Sequence, residues 1–307
     1  MTRRLVMTQI TLACVEEEHK PLLPKKKRDM DELDREYNPR LSISDHAEIV
    51  ARWQADSAAA RSRLTHTADL SYGPSSAEKM DFFPAKKRGP LLVFIHGGYW
   101  RARDKSDFHF LATPFVNAGV SVAMPNYGLA PATSLEEIVR QTLRAISWLY
   151  REAEALNFDA QRIVIAGHSA GGHLAAMMAA ADWRRWEDDL PDDLIRGVVS
   201  ISGLYNLVPL SRAPFLRDDL CLNEVSARHV SPIAYVPNPS VSLVTAVGSN
   251  ETRSFHDQNR LIRAAWPECF LKDIDLPGRH HMTAVEALGE VTHPLFLTTL
   301  DLLGTAG

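Results

Sequence analysis

The sequence lacks several features that define large classes of proteins. No apolar run in its 307 residues approaches the roughly 18 residues that a membrane-spanning helix needs. Its three cysteines, Cys14, Cys221 and Cys269, are odd in number and widely scattered, which argues against a disulfide framework and a thiolate metal site. A formal net charge of −4 gives no electrostatic reason to expect nucleic acid. We therefore expect a cytoplasmic protein with reduced thiols and no membrane, nucleic-acid, metal or cofactor partner.

Length and composition favour one large domain. A chain of this length with 45% hydrophobic residues can bury a sizeable core. Residues 1–29 differ in character, with the basic run Pro24–Arg28 after an interrupted apolar stretch. We interpret residues 1–29 as an N-terminal extension and residues 30–307 as the domain.

The most informative stretch begins at Ile163 and reads I-V-I-A-G-H-S-A-G-G. Ile163–Ala166 is typical of a short buried strand, and Gly167–Gly171 is a G-x-S-x-G pentapeptide. From Ala170 onward the residues are small and apolar on all sides, which favours a buried helix. Strand, sharp turn and helix are the context of a nucleophile elbow, so Ser169 is the predicted nucleophile.

Further apolar runs alternate with helical patterns. The predicted strands are 91–95, 120–124, 163–166, 198–201, 241–247 and 269–274, after a hairpin formed by 65–72 and 79–83. Helices are predicted after Asp45, over 135–156 with Ser134 as cap, over 257–266 and near 283–303. This alternation predicts an α/β fold, a mostly parallel sheet wrapped by helices on both faces. The Pro-rich segment 204–240 is predicted to form a lid or pocket wall at the carboxyl edge of the sheet.

A second motif directly follows the strand 91–95. His96-Gly97-Gly98 stands where backbone N–H groups contribute to an oxyanion hole, and the residue after the nucleophile supplies another. The predicted donors are therefore Gly97 or Gly98, together with Ala170.

A serine nucleophile needs a base and an acid, which in this kind of fold follow in the order serine, acid, histidine. The loop after the last strand contains His280 and His281, and either could be the base. The acid should follow the strand 241–247, where Glu251 is favoured over Asp257 by its spacing.

Several motifs resemble those of kynurenine formamidases (arylformamidases) of the α/β-hydrolase superfamily. They are H-G-G-Y-W from His96, P-N-Y-G-L-A-P from Pro125, G-H-S-A-G-G-H-L-A from Gly167, L-D-R-E-Y-N from Leu33, S-G-L-Y-N-L from Ser202 and S-P-I from Ser231. The likeness covers roughly residues 30–300. It implies the α/β-hydrolase fold and a triad of Ser169, Glu251 and His281. The chain departs from the family pattern at Glu251, which stands in place of Asp, and at Met282, which replaces the usual aromatic residue.

The resemblance implies a cofactor-free serine hydrolase that cleaves N-formyl-L-kynurenine, in tryptophan catabolism. Tyr99, Trp100 and Tyr205 are predicted to line a pocket for the aromatic part of a small amide or ester substrate. The alternatives are a carboxylesterase or aryl amidase with another aromatic substrate and a non-catalytic ligand-binding relative. The residues leave open whether the chain forms a homodimer.

Overall fold

The computed structural model describes residues 30–305, so the predicted extension 1–29 lies outside the described residues. Apolar runs form the central strands because side chains on both faces of these strands are covered by helices. Residues 30–305 contain eight strands: β1 (Thr67–Ser71), β2 (Lys79–Phe83), β3 (Leu91–Ile95), β4 (Ser121–Pro125), β5 (Ile163–His168), β6 (Gly197–Ile201), β7 (Ser242–Gly248) and β8 (Phe270–Leu276).

The helices of the described part fill the connections between these strands. They are α1 (Met30–Tyr37), α2 (His46–Arg63), α3 (Ala112–Asn117), α4 (Leu135–Glu152), α5 (Ala170–Ala179), α6 (Trp183–Trp186), α7 (Pro214–Leu220), α8 (Glu224–His229), α9 (Arg253–Ala265), α10 (His281–Ala284) and α11 (Pro294–Leu302). Every residue of α5 is buried, as its composition predicts.

All eight strands join one sheet in the order β1-β2-β4-β3-β5-β6-β7-β8. The pairs β1–β2 and β2–β4 are antiparallel, and the remaining pairs are parallel. Alternate residues of β3 belong to two hydrophobic cores, with Val93 on one face and Phe94 on the other. Together these features are those of the α/β-hydrolase fold, which confirms the predicted fold class.

The strand order also determines where a site can form. The chain leaves β3 towards β4 on one side and returns to β5 on the other side of β3. At such a switch point the loops after neighbouring strands diverge and leave a crevice at the carboxyl edge. His96 and Ser169 follow β3 and β5 respectively, so both predicted motifs lie at this crevice.

The structure corrects the predictions at helix ends. Asp45 is the N-cap residue of α2, but its side chain makes no capping hydrogen bond. Ser134 does cap α4, accepting a hydrogen bond from the Glu137 N–H. The predicted helix 283–303 is broken into α10, a 3-10 turn (Val285–Gly289) and α11, which starts at Pro294. Proline lacks an N–H and favours the first turn of a new helix.

The segment 204–240, predicted to form a lid or pocket wall, contains α7, α8 and two 3-10 turns, and its Phe215 lines the cavity described below. It contacts α1, with Phe215 donating its N–H to the Asp34 carboxylate at 3.2 Å. Over residues 30–305, no helix combines the length and apolar character needed to cross a membrane. Cys221 and Cys269, the two cysteines in the described range, are free thiols.

Candidate active site

Ser169 lies at the turn between β5 and α5 with φ 57° and ψ −116°. A non-glycine residue rarely adopts this conformation, and it costs about 1–3 kcal/mol. The turn is held by hydrogen bonds on both sides, from the Ser169 N–H to the Ile201 carbonyl and from the His173 N–H to the Ser169 carbonyl. The strained serine is therefore fixed by the surrounding sheet and helix, as in a nucleophile elbow.

The two glycines of the pentapeptide are required by close packing. A Cβ on Gly167 would lie 2.1 Å from the Gly171 carbonyl oxygen, and a Cβ on Gly171 would lie 2.0 Å from that of Ile95. Neither backbone oxygen can move without disturbing β3 or α5. The G-x-S-x-G spacing thus lets helix α5 start directly above the sheet.

His281 is brought to Ser169 by the loop after β8. Its Nε2 lies 3.0 Å from Ser169 Oγ, and its Nδ1 lies 2.7 Å from the Glu251 carboxylate. Because the carboxylate can only accept, Nδ1 carries the proton and Nε2 can accept the serine proton. His280 instead caps α10 through its ring and Thr283.

Glu251 lies in the turn after β7 with its side chain fully buried. The carboxylate accepts hydrogen bonds from His281, from the Gly248 N–H at 2.8 Å and from the Ser202 hydroxyl. Burial alone would raise the pKa of Glu251, but His281 and these donors outweigh it and hold the pKa below its usual value. Asp257, the alternative acid, lies on α9 and pairs with Arg253 and Arg260.

His168, within the pentapeptide, supports the loop of His281. Burial and the neighbouring His281 lower the pKa of His168 to about 3, so its ring is neutral. Its Nε2 lies 2.8 Å from the His281 carbonyl oxygen and donates to it. His168 is thus a structural neighbour of the triad.

Two of the predicted oxyanion donors border the space next to Ser169, and the third, Ala170, directly follows the serine. Gly97 and Gly98 line a cavity together with Ser169. Ala170 is the first residue of α5, and the first N–H groups of a helix have no partner within it. Gly98 has φ 112°, and a Cβ there would lie 2.1 Å from the Ala102 carbonyl oxygen, so this turn accepts only glycine. The arrangement can hold negative charge next to Ser169 Oγ.

The cavity above Ser169 has a volume of about 140 Å³. His281 and Met282 also line it, which makes Met282 a wall residue next to the predicted base. Aromatic residues from four separate parts of the chain complete its apolar surface: Trp53, Tyr99, Phe108 and Phe215.

Of the three aromatic residues predicted to line the pocket, Tyr99 alone borders this cavity. Trp100 is fully buried and packs edge-on against His173, with ring centroids 5.0 Å apart. Tyr205 is also in the core, where its hydroxyl donates to Ser200 at 2.8 Å. Tyr99 and Trp100 both have positive φ in a tight turn, which sends the adjacent side chains into different surroundings.

Besides Trp53 and Phe108, sequence reasoning missed two further parts of the wall. The first is Asn38, Pro39 and Arg40, which follow α1 and reach the cavity from a distant part of the sequence. The motif L-D-R-E-Y-N ends at Asn38, and this likeness was a signal that could have placed the segment at the site. The second is Arg101 to Arg103, which come after Tyr99 and Trp100 in the turn that follows the oxyanion glycines and could have been identified from that position.

Comparison with known proteins places the chain among hydrolases. The model of the BD-FAE family matches residues 80–265. The chain is 28% identical over 290 residues to kynurenine formamidase from Danio rerio, covering 89% of this chain and 96% of that protein. Esterase LipQ from Mycobacterium tuberculosis is 25% identical, covering 72% of this chain and 58% of that protein.

A solved structure gives a similar result. The crystal structure of a putative thioesterase from Silicibacter sp. matches with a TM-score of 0.77 and 33% identity. The match covers 87% of this chain and 98% of that chain.

Proposed function

Because the chain belongs to the BD-FAE family, we propose that it is a serine hydrolase whose triad is Ser169, His281 and Glu251. The observation that carries the proposal is the continuous chain of hydrogen bonds from Ser169 Oγ through the His281 ring to the Glu251 carboxylate. Ser169, at one end of this series of hydrogen bonds, lines the cavity, where a substrate carbonyl can reach its Oγ.

The reaction follows from this geometry. His281 Nε2 takes the Ser169 proton while Oγ forms a bond to the substrate carbonyl carbon, and the carbonyl oxygen becomes an oxyanion. The N–H groups of Ala170 and of Gly97 or Gly98 stabilise that charge. The oxyanion collapses and expels the amine or alcohol, which receives the proton from His281. His281 then takes a proton from water as the water oxygen bonds to the acyl carbon. The second oxyanion collapses, the bond to Ser169 Oγ breaks, and Oγ regains the proton from His281 as the acid leaves.

We propose N-formyl-L-kynurenine as the first substrate to test, with kynurenine and formate as products, in tryptophan catabolism. The motifs shared with kynurenine formamidases and the relative of that name from Danio rerio support this choice. The aromatic wall of Tyr99, Phe108 and Phe215 suits an aryl leaving group.

An ester or another aryl amide is the second candidate substrate. The similarity to esterase LipQ favours it, because both substrate types use the same triad and oxyanion hole. A ligand-binding protein without catalysis is the weaker alternative, since Ser169, His281 and Glu251 are all present and in contact.

Acyl length separates these candidates. We expect kcat/KM to fall in the order formyl, acetyl, butyryl on one aryl leaving group, because a small acyl space rejects bulk by steric clash. The same assay should include N-formylkynurenine and labelling by a fluorophosphonate. Ser169→Ala should lower turnover by up to about 10⁶-fold and abolish the labelling. A maximum at butyryl without deformylation would identify a carboxylesterase instead.

The setting of this enzyme is also a proposal. We place it in the cytoplasm, with residues 30–307 as one hydrolase domain, and leave a homodimer open. The free thiols of Cys221 and Cys269 support a reducing compartment.

A further inference from the structure

The charged residues that line the cavity are all of one sign. Arg40, Arg101 and Arg103 border it, and within the described residues 30–305 no aspartate or glutamate does. An uncharged aryl substrate gives no reason for three guanidinium groups around a serine nucleophile. The arginines differ, however, in how they are paired with the protein.

Arg101 is occupied by protein acceptors. Its guanidinium donates to the Phe215 carbonyl oxygen at 2.6 Å and forms an ion pair with Asp219. These contacts fasten α7 to the turn that follows the oxyanion glycines. Arg101 therefore has a structural role sufficient to explain its presence.

Arg103 is held differently. Its side chain is only 19% exposed, and its nearest carboxylate oxygen in the described part of the chain, on Asp107, is 3.9 Å away. That distance exceeds a hydrogen bond, and the other oxygen of Asp107 accepts from Gln54 at 2.8 Å. Among residues 30–305, no group accepts a hydrogen bond from the Arg103 guanidinium, and its ion-pair contact is the long one to Asp107. A largely buried cation with free donors thus faces a cavity.

The stem of Arg103 lies beside the reacting centre. A Cβ on Gly98 would lie 2.8 Å from Cγ of Arg103, so the arginine packs directly against an oxyanion glycine. Burial, with Arg40 nearby, lowers the pKa of Arg103, while Asp107 opposes this change. A guanidinium remains charged in proteins, so an anion in the cavity would relieve both the desolvation and the repulsion from Arg40.

We propose that Arg103, with Arg40 at the rim, forms a carboxylate-binding subsite, so that preferred substrates carry a carboxylate on the leaving-group side. The assignment to that side rests on the proposed function, because a formyl group has no room for a charge. A guanidinium binds a carboxylate through two parallel N–H donors, which orients the aryl group as well as holding it.

A matched pair of esters tests the subsite without deformylation. The two substrates are 3-(4-acetoxyphenyl)propanoate and the corresponding propanamide, which differ in charge but share acyl group and ring. We expect the carboxylate to have the higher kcat/KM, mainly through KM. In Arg103→Met this preference should fall about 10- to 100-fold, the range of a charge-assisted hydrogen bond, and Arg103→Lys should retain part of it.

Arg88→Met is the matched control, because Arg88 is exposed, pairs with Glu154 and precedes the amino end of β3 at the opposite edge of the sheet. The preference for the carboxylate should not change in this variant. An equal preference in wild type and Arg103→Met would overturn the subsite, whatever the rate of deformylation. Conversely, a charge preference on the esters with no turnover of N-formylkynurenine would support the subsite and reject formamidase activity.

Inhibition of the unmodified enzyme provides a measurement that does not depend on how a variant folds. We expect 3-phenylpropanoate to compete at least about tenfold more tightly than 3-phenylpropanamide, because only the acid can pair with Arg103. Added salt should weaken inhibition by the acid more than by the amide. Equal inhibition constants for the two compounds would contradict the proposal.

Discussion

At the scale of single residues, the site depends on the carboxylate of Glu251, which accepts three hydrogen bonds. Glu251 accepts from His281, Ser202 and the Gly248 N–H. Glu251→Gln keeps the shape but removes the charge that orients and stabilises the imidazolium, so kcat should fall about 10³- to 10⁴-fold. Asp257→Asn is the control, since Asp257 pairs with arginines on α9. Measuring kcat of the two variants identifies the acid of the triad. A larger fall of kcat in Asp257→Asn than in Glu251→Gln would assign that role to Asp257.

The adjacent histidines of the last loop provide a second residue-scale prediction. His281 touches Ser169, whereas His280 accepts from the Thr283 N–H as the cap of α10 at 3.4 Å. His281→Ala should lower kcat by about 10⁵- to 10⁶-fold. His280→Ala should cost at most about 1 kcal/mol of stability, the usual scale of a cap. Turnover and urea unfolding of both variants separate the roles, and equal loss of turnover would refute the assignment of His281.

At the scale of elements, the strands were predictable because burial on both faces leaves a continuous apolar run. The run Leu91–Ile95 is strand β3 to the residue. Helix ends were less predictable because the spacing of apolar residues reflects which side chains are buried, whereas a helix ends where its backbone hydrogen bonds end. Helix α4 ends at Glu152, although Ala153 and Phe158 beyond it remain buried. The apolar pattern therefore continues past the last helical residue, and the predicted helix 135–156 was too long at its C-terminal end.

The same distinction explains what was predictable at the site. Ser169, Glu251 and His281 follow strand ends in a required order, and the structure brings these three side chains into contact. Trp100 and Tyr205 also follow strands, but the direction of a side chain in a loop depends on local backbone angles. No short-range sequence pattern encodes those angles, so position in the sequence alone could not show whether such a side chain lines the cavity or lies in the hydrophobic core.

Helix α1 supports the cavity wall through Tyr37, which contacts the wall residue Tyr99. Tyr37 is buried, its hydroxyl accepts from Gln258 at 3.1 Å, and its carbonyl oxygen accepts from the Tyr99 hydroxyl. Tyr37→Ala removes a large core side chain, which typically costs about 3–5 kcal/mol, and should release α1 locally. We expect faster hydrogen exchange in residues 30–41 and a several-fold higher KM for aryl substrates.

Leu41→Ala is the control for helix α1, because this neighbouring apolar side chain is 62% exposed. Truncating an exposed side chain away from special contacts usually changes stability by less than about 0.5 kcal/mol. Its KM and hydrogen exchange should therefore match those of the unmodified protein. Unchanged exchange in Tyr37→Ala would mean that α1 is held mainly by other contacts.

At the scale of the whole molecule, buried histidines link stability to pH. Burial lowers the pKa of His168 to about 3 and that of His173 to about 4. His96 and His109 are shifted in the same direction, again mainly through burial. The side chains of His168 and His173 are therefore neutral in the fold, whereas the unfolded chain protonates them below about pH 6.5. The carboxylate of Asp81, with its pKa lowered to about 2, responds only in a more acidic range.

The free energy of unfolding should therefore fall as the pH drops from 7.5 to 5.0. The unfolded state then binds more protons than the native state, so stability rises with pH, by about 2 kcal/mol over this interval for each histidine that stays neutral in the fold. His173→Gln tests the origin of the slope, because glutamine can still donate to the Val230 carbonyl oxygen but does not titrate. Urea unfolding at both pH values should give a smaller loss for His173→Gln than for the unmodified protein or for His256→Gln, which changes a partly exposed histidine. A loss of the same size in all three proteins would show that His173 does not contribute to the acid sensitivity.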